Sequence, residues 1–314
     1  MERRQLGGTG IEVSRVILGC GSFGGIGSAP EFFGRGESDE EAFRIMDAAR
    51  ELGVTMFDTA DAYGGGRSEK AIGRWITSRG DRPEITTKTF NPMGTGDDHG
   101  LARARMSRQL ESSLDRLGVE RVDVYLAHDF DPDTPLEQTV GAFEGFVQLG
   151  LIRAWGVSNF NADQLRKVLA IGRPAVVQNS YSLLDRSDEH EVLQLCADFD
   201  VAYTAFSPLA GGWLTGKYRR GEPPPAGSRM TMRPEPYEHL RTDATFAALE
   251  RFADTARRRG SDPATLALAW LFVQPNVTAV IVGPRNPQQL EAALRGLELP
   301  LSKDDADEIA ALFE

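Results

Sequence analysis

Short apolar or β-branched runs alternate along the chain with longer segments of helical periodicity. The runs predict eight strands, at Val16–Cys20, Val54–Asp58, Ile85–Lys88, Val122–Ala127, Ile152–Val157, Ala175–Gln178, Val201–Phe206 and Val277–Val282. Apolar residues three and four positions apart predict helices after most of them, at Asp39–Leu52, Ser68–Ile76, Leu101–Leu117, Leu136–Leu149, Ala162–Ala170, Glu189–Phe199, Ala244–Arg258, Ala264–Val273, Pro287–Leu294 and Lys303–Leu312. This alternation favours a (β/α)8 TIM barrel over an open doubly wound sheet.

A glycine-rich turn and two long loops interrupt this pattern. Arg4–Leu6 and Ile11–Val13 flank Gly7–Gly10, and together they predict an N-terminal β-hairpin that caps one end of the barrel. The loops Gly21–Gly36 and Ser207–Thr242 follow the first and seventh strands, where barrel enzymes build their sites. No linker or change of composition divides the chain, so residues 1–314 are predicted to form a single domain.

Charge and cysteine content narrow the class of protein. The 314 residues include 46 acidic and 35 basic side chains, a net charge of −11. This disfavours general binding to nucleic acid or to a membrane surface, because both need clustered positive charge. Cys20 and Cys196 are too few to staple the chain, and no signal peptide or membrane span is predicted. We expect a cytoplasmic monomer or homo-oligomer that acts on a small molecule.

Three sequence patterns of known function lack the neighbouring residues that this function requires. Gly19–Gly24 matches G-x-G-x-x-G after a strand, but a loop follows instead of the helix that a Rossmann fingerprint needs. Gly211–Tyr218 nearly matches a phosphate-binding loop, but Tyr218 stands where Ser or Thr would hold magnesium. The four histidines include no H-x-H or H-E-x-x-H pair, so no metal site is expected.

Four polar side chains fall at or just past the ends of consecutive strands. Asp58 ends the second strand, Tyr63 lies in the loop after it, Lys88 ends the third strand and His128 follows the fourth. Adjacent strand ends of a barrel meet at one rim, so we expect these side chains to lie together. Each alone has a structural interpretation, as a cap, a rim aromatic, a solvated lysine or a loop histidine.

Together the four residues suit proton transfer to a carbonyl. A phenol has a pKa near 10 in water, and a nearby ammonium is expected to lower the pKa of Tyr63. Asp58 would hold Lys88 charged and in place, while neutral His128 could orient a carbonyl or pass a proton. This set suits delivery of a proton to the oxygen while a hydride reaches the carbon.

At these residues the sequence resembles the aldo-keto reductase superfamily. The matching segments are FDTADAYGGGRSE (57–69), the Lys88 strand, YLAH (125–128), GVSNF (156–160), FSPLAGGWLTGKY (206–218) and GPRNPQQL (283–290). They span nearly the whole chain in family order. The resemblance implies a (β/α)8 barrel and carbonyl reduction with a nicotinamide cofactor, NADP(H) or NAD(H), bound without a Rossmann domain. It also implies a catalytic tetrad of Asp58, Tyr63, Lys88 and His128, with Tyr63 as the general acid.

The same resemblance implies a set of cofactor contacts. They are Gly21, Ser22, Phe23, Asp58, Ser158, Asn159, Gln178 and Phe206 around the nicotinamide half, Ser207, Leu209, Gly211, Lys217 and Arg229 along the phosphates, and Gly283, Arg285 and Gln289 at the adenosine end. Arg285 favours NADP over NAD, because a guanidinium suits a 2′-phosphate. Ala292 and Ala293 stand where many relatives have an acidic residue and an asparagine, which leaves the strength of this preference open.

Substrate and activity also leave alternatives. The pocket is expected to be lined by aromatic residues, namely Phe23, Phe32, Phe33, Phe90, Phe130 and Trp213. The resemblance also fits a keto-sugar reductase of a secondary-metabolite pathway. A third interpretation is a cofactor-sensing subunit of the kind that accompanies potassium channels, with little turnover.

Overall fold

A computed structural model describes residues 1–96 and 98–314. Its strands are β1 (Arg3–Gln5), β2 (Glu12–Ser14), β3 (Val16–Gly19), β4 (Met56–Asp58), β5 (Glu84–Thr89), β6 (Val122–Ala127), β7 (Ile152–Ser158), β8 (Val176–Ser180), β9 (Ala202–Phe206) and β10 (Val277–Val282). The eight strands β3 to β10 are parallel and close into a barrel, in which β10 pairs with β3. This confirms the predicted (β/α)8 TIM barrel.

Helices surround the barrel and connect its strands. They are α1 (Asp39–Glu51), α2 (Arg67–Arg79), α3 (Arg103–Leu117), α4 (Leu136–Gln148), α5 (Ala162–Ile171), α6 (Val192–Asp198), α7 (Arg229–Met232), α8 (Asp243–Arg258), α9 (Pro263–Phe272), α10 (Pro287–Glu298) and α11 (Lys303–Ala310). Helix α6 is shorter than its predicted segment, and α10 is longer. No helix within the described ranges is both long and apolar enough to cross a bilayer.

The starts of α1 and α2 show where local sequence signals succeed and fail. Ser38 caps α1, since its hydroxyl accepts from the Glu41 amide while the Glu41 carboxylate accepts from the Ser38 amide. The prediction that Ser68 opens α2 is wrong. That helix begins after Gly66, whose φ of 84° closes the preceding turn. Ser68 is instead buried, and its hydroxyl donates to the carbonyl oxygen of Cys20.

The N-terminal hairpin closes the bottom of the barrel, as predicted. Strands β1 and β2 are antiparallel, and the side chains of Leu6 and Ile11 are buried against Met56 and Val124 inside the barrel. The guanidinium of Arg4 donates to the carbonyl oxygen of Val277, at the first residue of β10. The hairpin therefore lies at the amino ends of the strands, opposite the end where the loops are long.

Alternation along the strands makes the two ends of the barrel interior chemically different. Side chains of successive strand residues point to opposite faces. Met56 and Val176 therefore lie inside the barrel in an apolar layer, and two residues later Asp58 and Gln178 point inward at the upper end. A polar layer thus rests on an apolar floor, next to the carboxyl ends of the strands.

The two long loops contain ordered turns. Residues 21–36 include a 3-10 turn at Pro30–Phe32, and a backbone bridge joins Phe23 to Glu37. Residues 207–242 include 3-10 turns at Ala210–Thr215 and Glu235–Leu240, with α7 between them. Both loops follow strands that end at the polar layer, so they can wall a site there.

We predict that Leu6→Ala lowers the free energy of unfolding by about 3 kcal/mol, because it removes a fully buried side chain from the barrel floor. Urea unfolding followed by circular dichroism measures this change. Gln5→Ala, at an exposed neighbouring position, is the control. Equal stability of the two variants would show that the hairpin does not close a tightly packed floor.

Candidate active site

The structure brings the four sequence-predicted residues together at the upper rim of the barrel. Asp58 is the last residue of β4, and His128 directly follows β6. Tyr63 opens a 3-10 turn in the loop after β4. Lys88 lies one residue before the end of β5, which the sequence prediction placed at Lys88 itself. The side chain of Lys88 points into the barrel, while Thr89 points outward.

The ammonium of Lys88 is fully buried and surrounded by acceptors. Its Nζ donates to Oδ1 of Asp58 at 2.6 Å and to the carbonyl oxygen of Thr59 at 2.9 Å. It also lies 3.5 Å from the hydroxyl of Tyr63. Burial lowers the pKa of Lys88, but the attraction of Asp58 and Tyr63 outweighs burial and raises it. Lys88 is therefore a charged group at neutral pH.

Tyr63 remains a neutral phenol that retains its proton. Burial raises the pKa of Tyr63 above its ordinary value, and the Lys88 charge acts in the opposite direction. Lys88 lowers the pKa of Tyr63, as expected, but desolvation of the phenolate is the larger effect, so the net shift is upward. What the lysine provides is a positive charge beside the oxygen, available whenever negative charge develops there.

His128 completes the group as a neutral imidazole. Burial and the nearby Lys88 charge hold its pKa well below the ordinary value. Its Nε2 lies 3.5 Å from the Tyr63 hydroxyl, and its Nδ1 lies 3.2 Å from Nδ2 of Asn91. Sequence reasoning missed Asn91. Its position three residues after Lys88 was visible, but nothing in the sequence showed that the loop would turn its amide onto the histidine.

Residues expected near the nicotinamide half surround this group. Nε2 of Gln178 donates to Oδ2 of Asp58 at 2.8 Å, so the two carboxylate oxygens have different partners. Asn159 has a φ of 61°, and its amide donates to the carbonyl oxygen of His128 at 2.8 Å. Ser158 is buried beside it, and a Cβ added to Gly21 would lie 3.5 Å from the Tyr63 ring.

Phe206, expected at the nicotinamide, and the residues expected along the phosphates gather around the second long loop. Phe206 and Leu209 are half-buried at its start, and the hydroxyl of Ser207 lies 3.0 Å from that of Tyr237. The face of the Tyr237 ring packs against Gly211, where a Cβ would approach to 2.6 Å. Tyr237 was not predicted from the sequence, because it is far from Gly211 along the chain.

Three cations converge here, Lys217 and Arg229 from this loop and Arg285 from the segment after β10. The pKa of Lys217 is lowered by burial and by the positive charges of Arg229 and Arg285. The backbone amide of Arg285 donates to Oε1 of Gln289, and Gly283 lies against Gly19 at the end of β3. In a chain of net charge −11, such a cluster has the charge that an anion would require.

An acidic residue that sequence reasoning missed lies inside this cluster. Glu37 is almost fully buried, and its Oε1 accepts from Nε of Arg285 at 2.9 Å. Its other oxygen is buried without a hydrogen-bond partner among the described residues. The backbone bridge to Phe23 holds it there. The charge of Arg285 is therefore partly compensated.

The donor set fits a dinucleotide with anionic phosphates. The hydroxyls of Ser22 and Ser228 are buried without hydrogen-bond partners in the described part of the chain, so both are free to bind an incoming polar group. Gly211 and Gly212 are left-handed, and the Lys217 ammonium packs directly against Gly212, where a side chain would displace it. The residues present therefore suit phosphates at one end and an amide-bearing ring at the other.

Comparison with known proteins agrees with this geometry. The model of the Aldo/keto reductase family matches residues 15–314. The chain belongs to the aldo/keto reductase family. Members of this family use nicotinamide cofactors and act on small carbonyl compounds.

The names of similar proteins describe different activities and roles. The uncharacterized oxidoreductase YrpG of Bacillus subtilis is 36% identical, covering 97% of this chain and 93% of the relative. A probable voltage-gated potassium channel subunit beta of Oryza sativa is 32% identical, covering 100% of this chain and 97% of the relative. The NADH-specific methylglyoxal reductase of Escherichia coli is 30% identical, covering 98% and 96%. The structure of a glycerol dehydrogenase from Gluconobacter oxydans superposes with a TM-score of 0.84 at 25% identity, covering 99% and 94%.

The pocket of this aldo/keto reductase has fewer aromatic walls than expected. Phe23 and Trp213 are buried in the core, with 0% and 2% of their surface exposed, so their side chains cannot line a pocket. For Phe23, only the backbone is available to a cofactor. The remaining aromatic candidates keep part of their surface exposed, namely Phe32, Phe33, Phe90 and Phe130.

The buried carboxylate of Asp61 supports the turn that carries Tyr63. Oδ2 of Asp61 accepts from the Thr89 hydroxyl at 2.7 Å, while Oδ1 has no hydrogen-bond partner among the described residues. Burial, with the nearby Glu69 carboxylate, raises the pKa of Asp61 to about 7. Thr89 is bound in turn by the buried Arg105 guanidinium at 2.9 Å.

We predict that Asp61 makes the stability of this aldo/keto reductase depend on pH. Its folded pKa exceeds its unfolded value, so its contribution is fully present below about pH 4 and is lost as pH rises through about 7. Asp61→Asn cannot titrate. Between pH 5 and 8, the free energy of unfolding of the variant should rise relative to the native protein by roughly 2 kcal/mol.

Urea unfolding at both pH values measures this difference. Asp163→Asn is the control, because the Asp163 side chain is 84% exposed, and its difference from the native protein should stay constant. If Asp61→Asn also shows a constant difference, Asp61 is not held in a strongly raised pKa state.

Proposed function

We propose that this protein is an NADP(H)-dependent oxidoreductase that reduces an aldehyde or ketone to an alcohol. The observation that carries the proposal is the buried arrangement around the Tyr63 hydroxyl. A charged lysine and a neutral histidine both lie 3.5 Å from that oxygen. Such a phenol can give its proton to a carbonyl oxygen, because the adjoining charge stabilises the phenolate that remains.

Each member of the tetrad has a separate role in the proposal. Tyr63 is the general acid at the carbonyl oxygen, and Lys88 stabilises the developing phenolate. Asp58 keeps Lys88 protonated and aimed at Tyr63, and His128 orients the carbonyl oxygen as a neutral donor. The bound nicotinamide would supply the hydride that reaches the carbonyl carbon.

The cofactor contacts remain those predicted from the sequence, with one change. Gln178, Ser158 and Asn159 would hold the carboxamide, since paired donors and acceptors suit an amide. Gly21 and Ser22 would approach the same half, while Phe23 contributes only its backbone. Phe206 would stack on the nicotinamide, and the others would follow the dinucleotide toward the adenosine, namely Ser207, Leu209, Gly211, Lys217, Arg229, Gly283, Arg285 and Gln289.

The preference for NADP(H) is proposed to be modest. Lys217, Arg229 and Arg285 supply positive charge suited to a phosphate group. Glu37 opposes this, because it pairs with Arg285 and would repel an added phosphate dianion. The name of the NADH-specific bacterial relative agrees with a cofactor choice that varies among proteins this similar.

The rice relative gives one specific alternative, a channel-associated subunit that senses the cofactor. A narrow keto-sugar reductase is a variant of the main proposal. Consumption of NADPH and NADH with a panel of carbonyls, including keto-sugars, separates these functions. Turnover supports the reductase, and the preferred substrate distinguishes its variants. Tight cofactor binding without turnover across the panel, with stable binding to a channel domain, would favour the subunit.

Removal of the general acid should abolish chemistry and leave binding intact. We predict that Tyr63→Phe lowers kcat by at least about 100-fold, because the proton donor is lost while ring packing is retained. The Kd for the cofactor, measured by fluorescence titration, should stay within about threefold of the native value. Equal losses of turnover and cofactor binding would contradict the assigned role of Tyr63.

Two substitutions at the cation cluster test cofactor choice in opposite directions. We predict that Arg285→Ala weakens NADPH by roughly 10-fold or more, since a charge-assisted hydrogen bond is removed, while NADH changes little. Glu37→Gln should tighten NADPH relative to NADH, because it keeps the shape but removes the opposing charge. Equal effects on the two cofactors in the titration would show that this pair does not read the 2′-phosphate.

A further inference from the structure

Asn91 makes a contact with the catalytic group that the proposed function does not use. It is half-buried in the loop after β5, and its side-chain nitrogen lies 3.2 Å from Nδ1 of His128. The opposite ring nitrogen, Nε2, lies 3.5 Å from the Tyr63 hydroxyl. The imidazole thus has one defined neighbour on each side.

A buried guanidinium holds Asn91 in place. Arg105 is 2% exposed, and its NH2 group donates to the carbonyl oxygen of Asn91 at 2.8 Å. Its NH1 group donates to the Thr89 hydroxyl and to the carbonyl oxygen of Gly100, both at 2.9 Å. The carbonyl oxygen of Thr89 accepts from the backbone amide of His128. Asn91 and His128 are therefore anchored to the same strand end and cannot shift independently.

The contact with Asn91 determines where the imidazole carries its proton. A neutral histidine has one N–H, and the nitrogen that accepts a hydrogen bond is the one without it. The Asn91 nitrogen that faces Nδ1 can only donate there, which favours Nδ1 as the acceptor and the proton on Nε2. Nε2–H then points toward the Tyr63 oxygen and the space where a carbonyl would bind.

This tautomer restricts the path of the Tyr63 proton. The Lys88 ammonium and the His128 Nε2–H are both donors, so neither can accept a proton from the phenol. The proton can therefore pass only to an acceptor supplied by the substrate. With the proton on Nδ1, the Nε2 lone pair would instead face Tyr63 and could accept its hydrogen.

We propose that Asn91 is a positioning residue that holds His128 as its Nε2–H tautomer, so that His128 donates to the substrate carbonyl and leaves the Tyr63 proton for transfer. The effect on turnover rests on the proposed function. The tautomer itself does not, and it can be measured in the protein without substrate.

Nuclear magnetic resonance of the full-length protein labelled with 15N at histidine tests the tautomer. Long-range proton–nitrogen correlations distinguish Nδ1–H from Nε2–H, and His128→Gln identifies the His128 signals. The native protein should show Nε2–H. Asn91→Asp should move the proton to Nδ1, because a carboxylate only accepts. An Nδ1–H signal in the native protein, or an unchanged tautomer in Asn91→Asp, would overturn the proposal.

Kinetics test the consequence for the reaction. Asn91→Asp should lower kcat by roughly 100-fold while the KM for the carbonyl changes much less, because proton transfer is affected more than binding. Thr95→Asp places the same charge at an exposed position of the same loop, and it should retain native kcat and the native tautomer. A shifted tautomer with native kcat would overturn the positioning role.

A second variant keeps the test decisive if Asn91→Asp does not fold. Asn91→Ala removes the amide without adding charge, and we expect both tautomers to appear together with a smaller loss of kcat. A single Nε2–H form in Asn91→Ala would overturn the proposal. If the native protein shows Nε2–H but reduces no carbonyl, the proposed function fails while the assignment of the tautomer stands.

Discussion

The buried ion pair between Lys88 and Asp58 is the interaction on which the site depends. An ammonium without exposed surface is stable only where its donors find acceptors, and here Asp58 and the Thr59 carbonyl supply them. Removing either partner would leave an uncompensated charge inside the barrel. Asp58 raises the pKa of Lys88 against the effect of burial. Burial raises the pKa of Tyr63 and lowers that of His128, and the Lys88 charge opposes the first shift and adds to the second. The pair therefore fixes a positive charge beside Tyr63 and His128, whose neutral states depend mainly on their burial.

Strand β5 connects this pair to a second network outside the barrel. Because side chains alternate, Lys88 points inward while Thr87 and Thr89 point outward, where their hydroxyls bind the buried carboxylates of Glu69 and Asp61. Asp61 precedes the Tyr63 turn, and Arg105 links Thr89 to the Asn91 loop. The outer network thus fixes loops whose side chains meet on the inside. Its burial of Asp61 is unfavourable at neutral pH, which indicates that loop position is maintained at some expense of stability.

The sequence predicted the barrel and the meeting of the tetrad because both follow from regular spacing. Eight runs define eight strands, so the polar residues at adjacent strand ends, Asp58, Lys88 and His128, must converge; Tyr63 joins them because its loop is short. Features that depend on irregular backbone were not predictable in this way. Ser68 carries a cap signal, but the glycines before it start the helix earlier. Phe23 and Trp213 lie in loops yet fold into the core, and Asn91 and Glu37 reach their partners through turns that periodicity does not describe.

The net charge of this protein and the charge around the cluster of cations act on an anion in opposite directions. A net charge of −11 repels anions at a distance, while Lys217, Arg229 and Arg285 attract them at one mouth of the barrel. Glu37 then limits that attraction at the place where a phosphate would be recognised, and its burial prevents solvent from screening it. A surface carboxylate would be screened by salt and have little effect there. Cofactor discrimination should therefore respond to the balance between one buried acid and its arginine more than to the total charge of the chain.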